Sequence, residues 1–380
     1  MKIKISILIA VLLLSAGGCI TQFIPETDEL QEILVVEGLV TNQDEPAIVR
    51  LSKSMPLGKK SSREPLSGCI VTVTDDSGNN YELPESVSGT YSTAPGVFRG
   101  VAGRKYVLHI KTNNSTTDHY SYESVPVEMI PVPPIDTIFY EKVKIIAPEP
   151  WDDVHDGCQI YLNTTDPTGK CKFYRWDYNE TWEIRLPFSA PVNHTCWISG
   201  NSTVINIKST NSLSENRVSR YPLNYISDQT DRLKVKYSMF VNQYSLTQDE
   251  FDYWEKLRNV AQEVGSLYDI IPASIPGNIY CIENTGQKVL GFFSVSAKTS
   301  KRIFIKDIFN GIINPYLYCI DDTIIGRDPK IPDLNISNWI LEQDLNAMPP
   351  YTITTDIWGC ADCTVRGSNI EPEFWHDDQK

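Results

Sequence analysis

Histidine is scarce in this sequence, with five residues at positions 109, 119, 155, 194 and 376. None falls at metal-ligand spacing from another, so a histidine-built metal centre has no support. His109 stands on the polar side of an alternating stretch and is expected in solvent. The glycines form neither a G-x-G-x-x-G nor a P-loop, which removes the sequence signs of dinucleotide and nucleotide binding. There is no G-x-S-x-G elbow and no H-E-x-x-H. No catalytic residue, cofactor or metal ligand is assigned, and the chain is expected not to be an enzyme. Basic residues are in deficit as well: 34 Lys and Arg stand against 48 Asp and Glu, a net charge of −14. A phosphate backbone is bound through clustered cations, so nucleic acid is not an expected partner. Acidity of this size favours solubility without specifying a ligand. Long apolar runs are missing too. The longest, residues 5–14 broken by Ser6, falls far short of the ~20 residues that a spanning helix needs.

That short run nonetheless has a meaning of its own. Lys2 and Lys4 flank its start, and Ser15, Ala16, Gly17 and Gly18 follow it, directly before Cys19. A charged start, an apolar middle and small residues at the end describe a secretory leader. A cysteine immediately after them suggests a bacterial lipoprotein box, in which residues 1–18 are removed and the Cys19 thiol is fatty-acylated. Ala16 stands where such boxes usually carry leucine. Loss of Lys2 and Lys4 with the leader takes the net charge from −14 to −16. Residues 19–31, containing "ITQFIPETDELQ", read as a tether holding the body off the lipid.

Nine cysteines are present, and an exported chain with eight left after Cys19 favours disulfides. Cys69, in "GCIVTVTDD", shares a strand face with Val71 and Val73 and reads as a free buried thiol. The disulfide candidates are Cys158, Cys171, Cys196, Cys281, Cys319, Cys360 and Cys363, with a pairing that spacing alone does not reveal. Cys360 and Cys363 form the single C-x-x-C, "WGCADC". No second pair stands at zinc-site spacing, and the following "TVRGSNIEPEFW" promises no helix for a redox motif. The C-x-x-C is expected to form a structural disulfide, with Cys319 as one partner.

The rest of the chain is dominated by strand patterns. "ILVVEGLVTN", "AIVRLSKS", "CIVTVTDDSGNNYELP" and "YVLHIKT" are short, β-branched runs, with a hairpin turn at residues 75–78. They predict a β-sandwich over residues 32–133, ended by the prolines of "MIPVPPID", which cannot continue a ladder. Residues 134–380 are expected to form a larger, mainly β domain. There "CKFYRWDYNETWEIRLP" alternates, and Leu233, Val235, Tyr237, Met239 and Val241 share one side of a long strand. One amphipathic helix is predicted over about 247–264. Thr247 and Glu250 make a capping box, Phe251, Trp254, Leu257, Ala261 and Val264 form an apolar stripe, and Gly265 is the stop. The stripe is read as core contact. The Asp-rich stretch 152–156 reads as a solvated loop, and its carboxylates leave calcium open although their spacing is not that of an EF-hand. Trp151, Trp182, Trp197 and Trp375 are candidates for a contact surface.

Taken in order, "LVVEGLVTN", "VRLSKS", "VTVTDDSGNNYEL", "YVLHIKT", "PVPPIDTIFYE", "QYSLTQDEFDYWEKL", "PGNIYCIEN", "VLGFFSVSA" and the tail "CADCTVRGSNIEPEFW" give the chain a family likeness. It resembles a Bacteroidota family of outer-membrane lipoproteins described as a domain of unknown function, whose members are encoded beside TonB-dependent receptors. The resemblance implies a transthyretin- or carboxypeptidase-regulatory-like sandwich followed by a larger β domain. It implies a lipid-anchored place at the outer membrane and a TonB-dependent receptor as partner in nutrient uptake, and it brings no catalytic residues. Surface-exported lipoproteins of that phylum often carry acidic residues directly after the lipidated cysteine. Here Ile20, Thr21 and Gln22 follow Cys19, a departure from that pattern that keeps the periplasmic face open beside the cell surface, which is the expected face. "DTI" at 136–138 and at 322–324 resembles the phylum's O-glycosylation sequon. The leading expectation is a non-enzymatic accessory protein that binds a ligand or a receptor. The alternatives are a glycan or peptide hydrolase with dispersed carboxylates and a structural or adhesive surface protein.

Overall fold

In the computed structural model the described residues are 33–54, 64–112, 120–146, 154–189, 191, 193–263, 275–320, 322–325 and 339–379. The leader, Cys19, the tether, Trp151, Asp152 and Asp153 lie outside them. Strands of alternating burial follow one another through the first part: β1 (Leu34–Thr41), β2 (Ile48–Lys53), β3 (Glu64–Pro65), β4 (Ile70–Asp75), β5 (Asn80–Leu83), β6 (Glu85–Val87), β7 (Thr90–Ser92), β8 (Lys105–Lys111), β9 (Ser121–Ser124) and β10 (Val127–Glu128). Longer strands come next: β11 (Ile135–Ile146), β12 (Val154–Thr165), β13 (Phe173–Arg185), β14 (Thr195–Asn201), β15 (Asn206–Ser209), β16 (Arg217–Ile226) and β17 (Tyr237–Ser245). The predicted helix forms as α1 (Gln248–Glu263). After it come β18 (Ile279–Cys281), β19 (Val289–Ser296), β20 (Lys298–Ile305), β21 (Asp322–Ile325), β22 (Trp339–Asp344), β23 (Tyr351–Thr355) and the single turn α2 (Trp358–Ala361). The fold is mainly β, as expected.

Two six-stranded sheets make the first sandwich. One runs β19-β1-β2-β7-β6 with β3 beside β2, and the other β18-β9-β8-β4-β5 with β10 beside β8. Val36, Val49 and Leu51 of the first sheet share one core with Val71, Val73, Leu108 and Ile110 of the second. The hairpin turn forms as predicted. Asp75 accepts hydrogen bonds from the backbone N–H of Ser77 (3.0 Å) and Asn79 (2.9 Å), and Gly78 takes a positive φ of 86°.

The expected span 32–133 supplies β1 to β10, but β18 and β19 arrive from residues 279–296 to complete the two sheets. β19 pairs with β1 in parallel, Val36 opposite Gly291 and Leu39 opposite Ser294. Parallel neighbours need a long crossover between them, here everything from β2 to β18, so local periodicity carries no trace of the pairing. Gly291 is required at this crowded point. Its φ is +91°, and a Cβ there would lie 1.9 Å from the Val36 carbonyl oxygen.

The second sandwich packs the sheet β11-β12-β16 against β14-β13-β17-β20, with β15 beside β13. Ile160, Leu162, Trp176, Tyr237, Met239 and Val241 fill its core. Trp176 is polar at one atom, and its Nε1–H donates to Gln243 Oε1 at 2.9 Å. Gln243 in turn donates from Nε2 to the Pro133 carbonyl at 2.7 Å, which ties the proline connector into this core. The long strand expected from Leu233 begins instead at Tyr237, because Asp231–Leu233 closes a 3₁₀ turn that buries Leu233 by another route. A smaller cluster under β21, β22, β23 and α2 gathers Ile184, Leu186 and Leu341 around four cysteines. No helix among the described residues is long and apolar enough to cross a membrane.

Candidate ligand-binding cleft

Helix α1 joins the two sandwiches and builds a cleft between them. Thr247 caps it by accepting the Glu250 backbone N–H at 3.3 Å, the forward half of the predicted capping box. Phe251 meets Phe173 of β13 with ring centroids 5.2 Å apart, while Tyr253 meets Phe292 of β19 at 4.9 Å. The helix thus grips one sandwich with each side. Of the predicted stripe, Phe251 is buried, Trp254 and Leu257 are half-buried, Ala261 is exposed, and Val264 lies outside the described residues. Tyr253, which the stripe left out, faces the cleft.

The cleft has a volume of about 410 Å³. Glu37, Thr41, Glu45 and Arg50 line it from β1, β2 and their turn, Phe292 and Ser294 from β19, Arg175 and Asp177 from β13, and Tyr253 and Trp254 from α1. Strand alternation puts Arg175 and Asp177 on the same face, and the Arg175 guanidinium lies between two rings. Its Cζ is 4.4 Å from the Tyr244 ring centroid and 4.8 Å from that of Trp254. One long contact, 3.4 Å from Nη1 to Asp177 Oδ2, joins it to the neighbouring acid, and its buried Nε has no hydrogen-bond partner.

Two acids of the cleft are already engaged. Asp177 Oδ1 accepts from Asn242 Nδ2 at 2.8 Å and from the Tyr244 hydroxyl at 3.4 Å. Glu45 holds Lys298 at 2.5 Å. Behind the wall sits Glu250, fully buried, accepting the Trp254 indole N–H at 3.3 Å and leaving Oε2 without a partner. Burial pushes its carboxyl pKa up, against the pull of Ser294, Arg175 and Trp254. A cavity with aromatic walls and a few fixed polar groups has the features common to small-molecule sites, and Glu250 stands behind its wall rather than in its lining.

The residues singled out from sequence fall elsewhere. Cys196 bonds Cys363 and Cys319 bonds Cys360, so the two halves of the C-x-x-C go to different partners, one of them Cys319. Cys158, Cys171 and Cys281 are free and buried, which corrects their place among the disulfide candidates. Each sits inside a sandwich core, and burial pushes the thiols of Cys158 and Cys171 up to about 12, where they stay protonated and inert. Cys69 is free and half-buried.

His109 is not solvated but half-buried, between the Thr74 hydroxyl at 2.9 Å and Glu123 at 3.0 Å. Of the Asp-rich stretch, Val154, His155 and Asp156 open β12 rather than forming a loop. His155 Nδ1 lies 2.7 Å from Asp228, and buried Asp156 holds Lys144 at 2.5 Å. Among the described residues no group of three or more His, Cys, Asp or Glu side chains could hold a metal ion. Trp375 is buried and Trp182 and Trp197 are half-buried, so these three do not form an exposed contact surface. Among the described residues the exposed tryptophans are Trp339 and Trp358, 41% and 57% accessible, with rings 6.3 Å apart and nearly parallel. A composition reading cannot separate the two sets, because burial of a tryptophan depends on what packs over it. Nor could it find the cleft, whose walls come from residues 37 to 294.

Among known protein families, residues 20–302 match the one described as Domain of unknown function (DUF4249), a span that contains every residue lining the cleft. No curated protein matches the chain.

Proposed function

Taking as premise that the chain belongs to the DUF4249 family, we propose that it is a non-enzymatic, lipid-anchored outer-membrane protein. In this reading it binds a ligand in the cleft between its sandwiches and serves a TonB-dependent receptor in nutrient uptake. The cleft carries the reading: about 410 Å³, walled by Tyr253, Trp254 and Phe292, lies within the family-matched span. The leader and Cys19 support the anchor. Support for the partner comes from apolar side chains left exposed beyond the matched span, among them Ile308, Leu317, Tyr318, Trp339, Met348 and Trp358. Of these, Trp339 and Trp358 stack side by side at 6.3 Å, and adjoining exposed apolar surface of this kind is what a partner covers.

Affinity capture of the full chain from native outer membranes tests the partnership. The expected result is co-recovery of a TonB-dependent receptor, reduced by Trp358→Ala and lost from the membrane fraction in Cys19→Ala. Capture that recovers no such receptor overturns the partner reading, and a Cys19→Ala chain that stays anchored overturns the lipid anchor.

A second reading, a glycan or peptide hydrolase, draws on one observation: Glu37 and Asp177 reach the same cleft from different sandwiches. Hydrolysis of oligosaccharides or peptides by the purified chain, lost in Asp177→Asn, would replace the binding reading with this one.

A further inference from the structure

The charges of the cleft are not equally satisfied, and the imbalance names the ligand class. Asp177 is bonded by Asn242, Tyr244 and Arg175, and Glu45 by Lys298. Glu250, behind Trp254, has its carboxyl pKa raised by burial against the pull of Ser294, Arg175 and Trp254. Arg175 is less well served. It has one 3.4 Å contact to an acid and a partnerless Nε, and its guanidinium is held rigid between Tyr244 and Trp254. Arg50 lines the same cleft from the exposed face of β2, with Glu37 directly across the β1–β2 ladder. A guanidinium presents a fork of N–H donors that matches a carboxylate, and one already fixed by stacking loses little freedom when it binds. Beside the two arginines stand the rings of Tyr253, Trp254 and Phe292, a wall for a flat apolar body.

We propose that the cleft takes a carboxylate-bearing ligand with a planar apolar group, the carboxylate between Arg50 and Arg175 and the ring against Tyr253 and Trp254. This rests on the reading of the cleft as a binding site and narrows it to one chemical class. Organic anions are repelled by a chain of net charge −14, so a local pair of arginines, one of them with a partnerless Nε, is what selects them.

The test titrates the full chain in detergent with three probes of one shape: phenylacetate, phenylacetamide and phenethylamine. Binding is read by calorimetry and by tryptophan fluorescence. Phenylacetate is expected to bind at least about 10-fold more tightly than the amide or the amine, one charge-assisted contact being worth roughly that factor. Arg50→Gln removes most of that preference, and Arg50→Lys restores part of it. Arg50 is exposed on its strand, so an unchanged thermal melt separates lost binding from lost folding. Equal or tighter binding of the amine or the amide overturns the anion assignment while leaving the cleft as a binding site. If none of the three binds, both the assignment and the cleft reading fall. Phenylacetate binding that Arg50→Gln leaves untouched also overturns the proposal.

Discussion

The two sandwiches and the C-terminal cluster use cysteine in opposite ways. Cys69 and Cys281 belong to the first sandwich, Cys158 and Cys171 to the core of the second, and all four are free thiols. Cys196, Cys319, Cys360 and Cys363 gather in the small cluster around Leu341, and all four are in disulfides. A large core holds its strands by burial alone, and there a cysteine is a small apolar filler. A cluster with few apolar residues gains by cross-linking, which limits the freedom of its unfolded chain.

That contrast can be broken from its stronger side first. Phe293→Ala empties the first sandwich core at a fully buried position and is expected to cost about 3–5 kcal/mol in urea unfolding. Reductant is expected to leave the unfolding of this sandwich unchanged. If reductant lowered its midpoint as much as the mutation does, the division of labour would be wrong.

Removing the long cross-link with Cys196→Ser and Cys363→Ser, a separation of 167 residues, should destabilise the C-terminal segment by about 2–4 kcal/mol. Hydrogen exchange should speed up across residues 339–379 and stay slow in β1. Uniform loss of protection over both regions would show that they unfold as one unit.

Where the sandwiches meet at the cleft, Glu250 gives a smaller effect with a definite sign. Its folded pKa is raised, so the native state binds a proton more strongly than the unfolded chain does. Stability is therefore lost as pH rises from the unfolded value of about 4.3 toward the folded pKa. Glu250→Gln is expected to be more stable than the parent at pH 7 and no more stable at pH 4, by thermal melts at the two values. A glutamine variant that melts below the parent at pH 7 would instead mark the carboxylate as a favourable buried charge.

Replacing a free core thiol, Cys281→Ala, should cost about 1 kcal/mol, with no change in its response to oxidant. At the bottom of the scale, Arg99→Ala breaks a 3.5 Å ion pair to Asp44 whose side chains are both largely exposed. A shift within about 0.5 kcal/mol is expected, fading with salt.

Much of the local structure was legible beforehand. The alternation of "LVVEGLVT" appears as β1, the turn after Thr74 is held by Asp75, and α1 occupies 248–263 under its Thr247 cap. The cleft was not legible, because Arg50, Arg175 and Tyr253 carry no motif and become neighbours only through α1 and the pairing of β19 with β1. The sorting of cysteines was hidden for a related reason. Cys158 in β12 and Cys196 in β14 look alike in sequence, and only packing sends one into an apolar core and the other onto Cys363.

The amino-acid order alone determined which stretches become strand and helix, since side-chain period, caps and turn residues act within a few positions of one another. Which strands pair in parallel, which thiols join and where Arg50 and Arg175 come to line one cleft were decided by contacts between residues far apart in the chain. Such contacts form through burial and hydrogen bonding in three dimensions, and no local pattern encodes them.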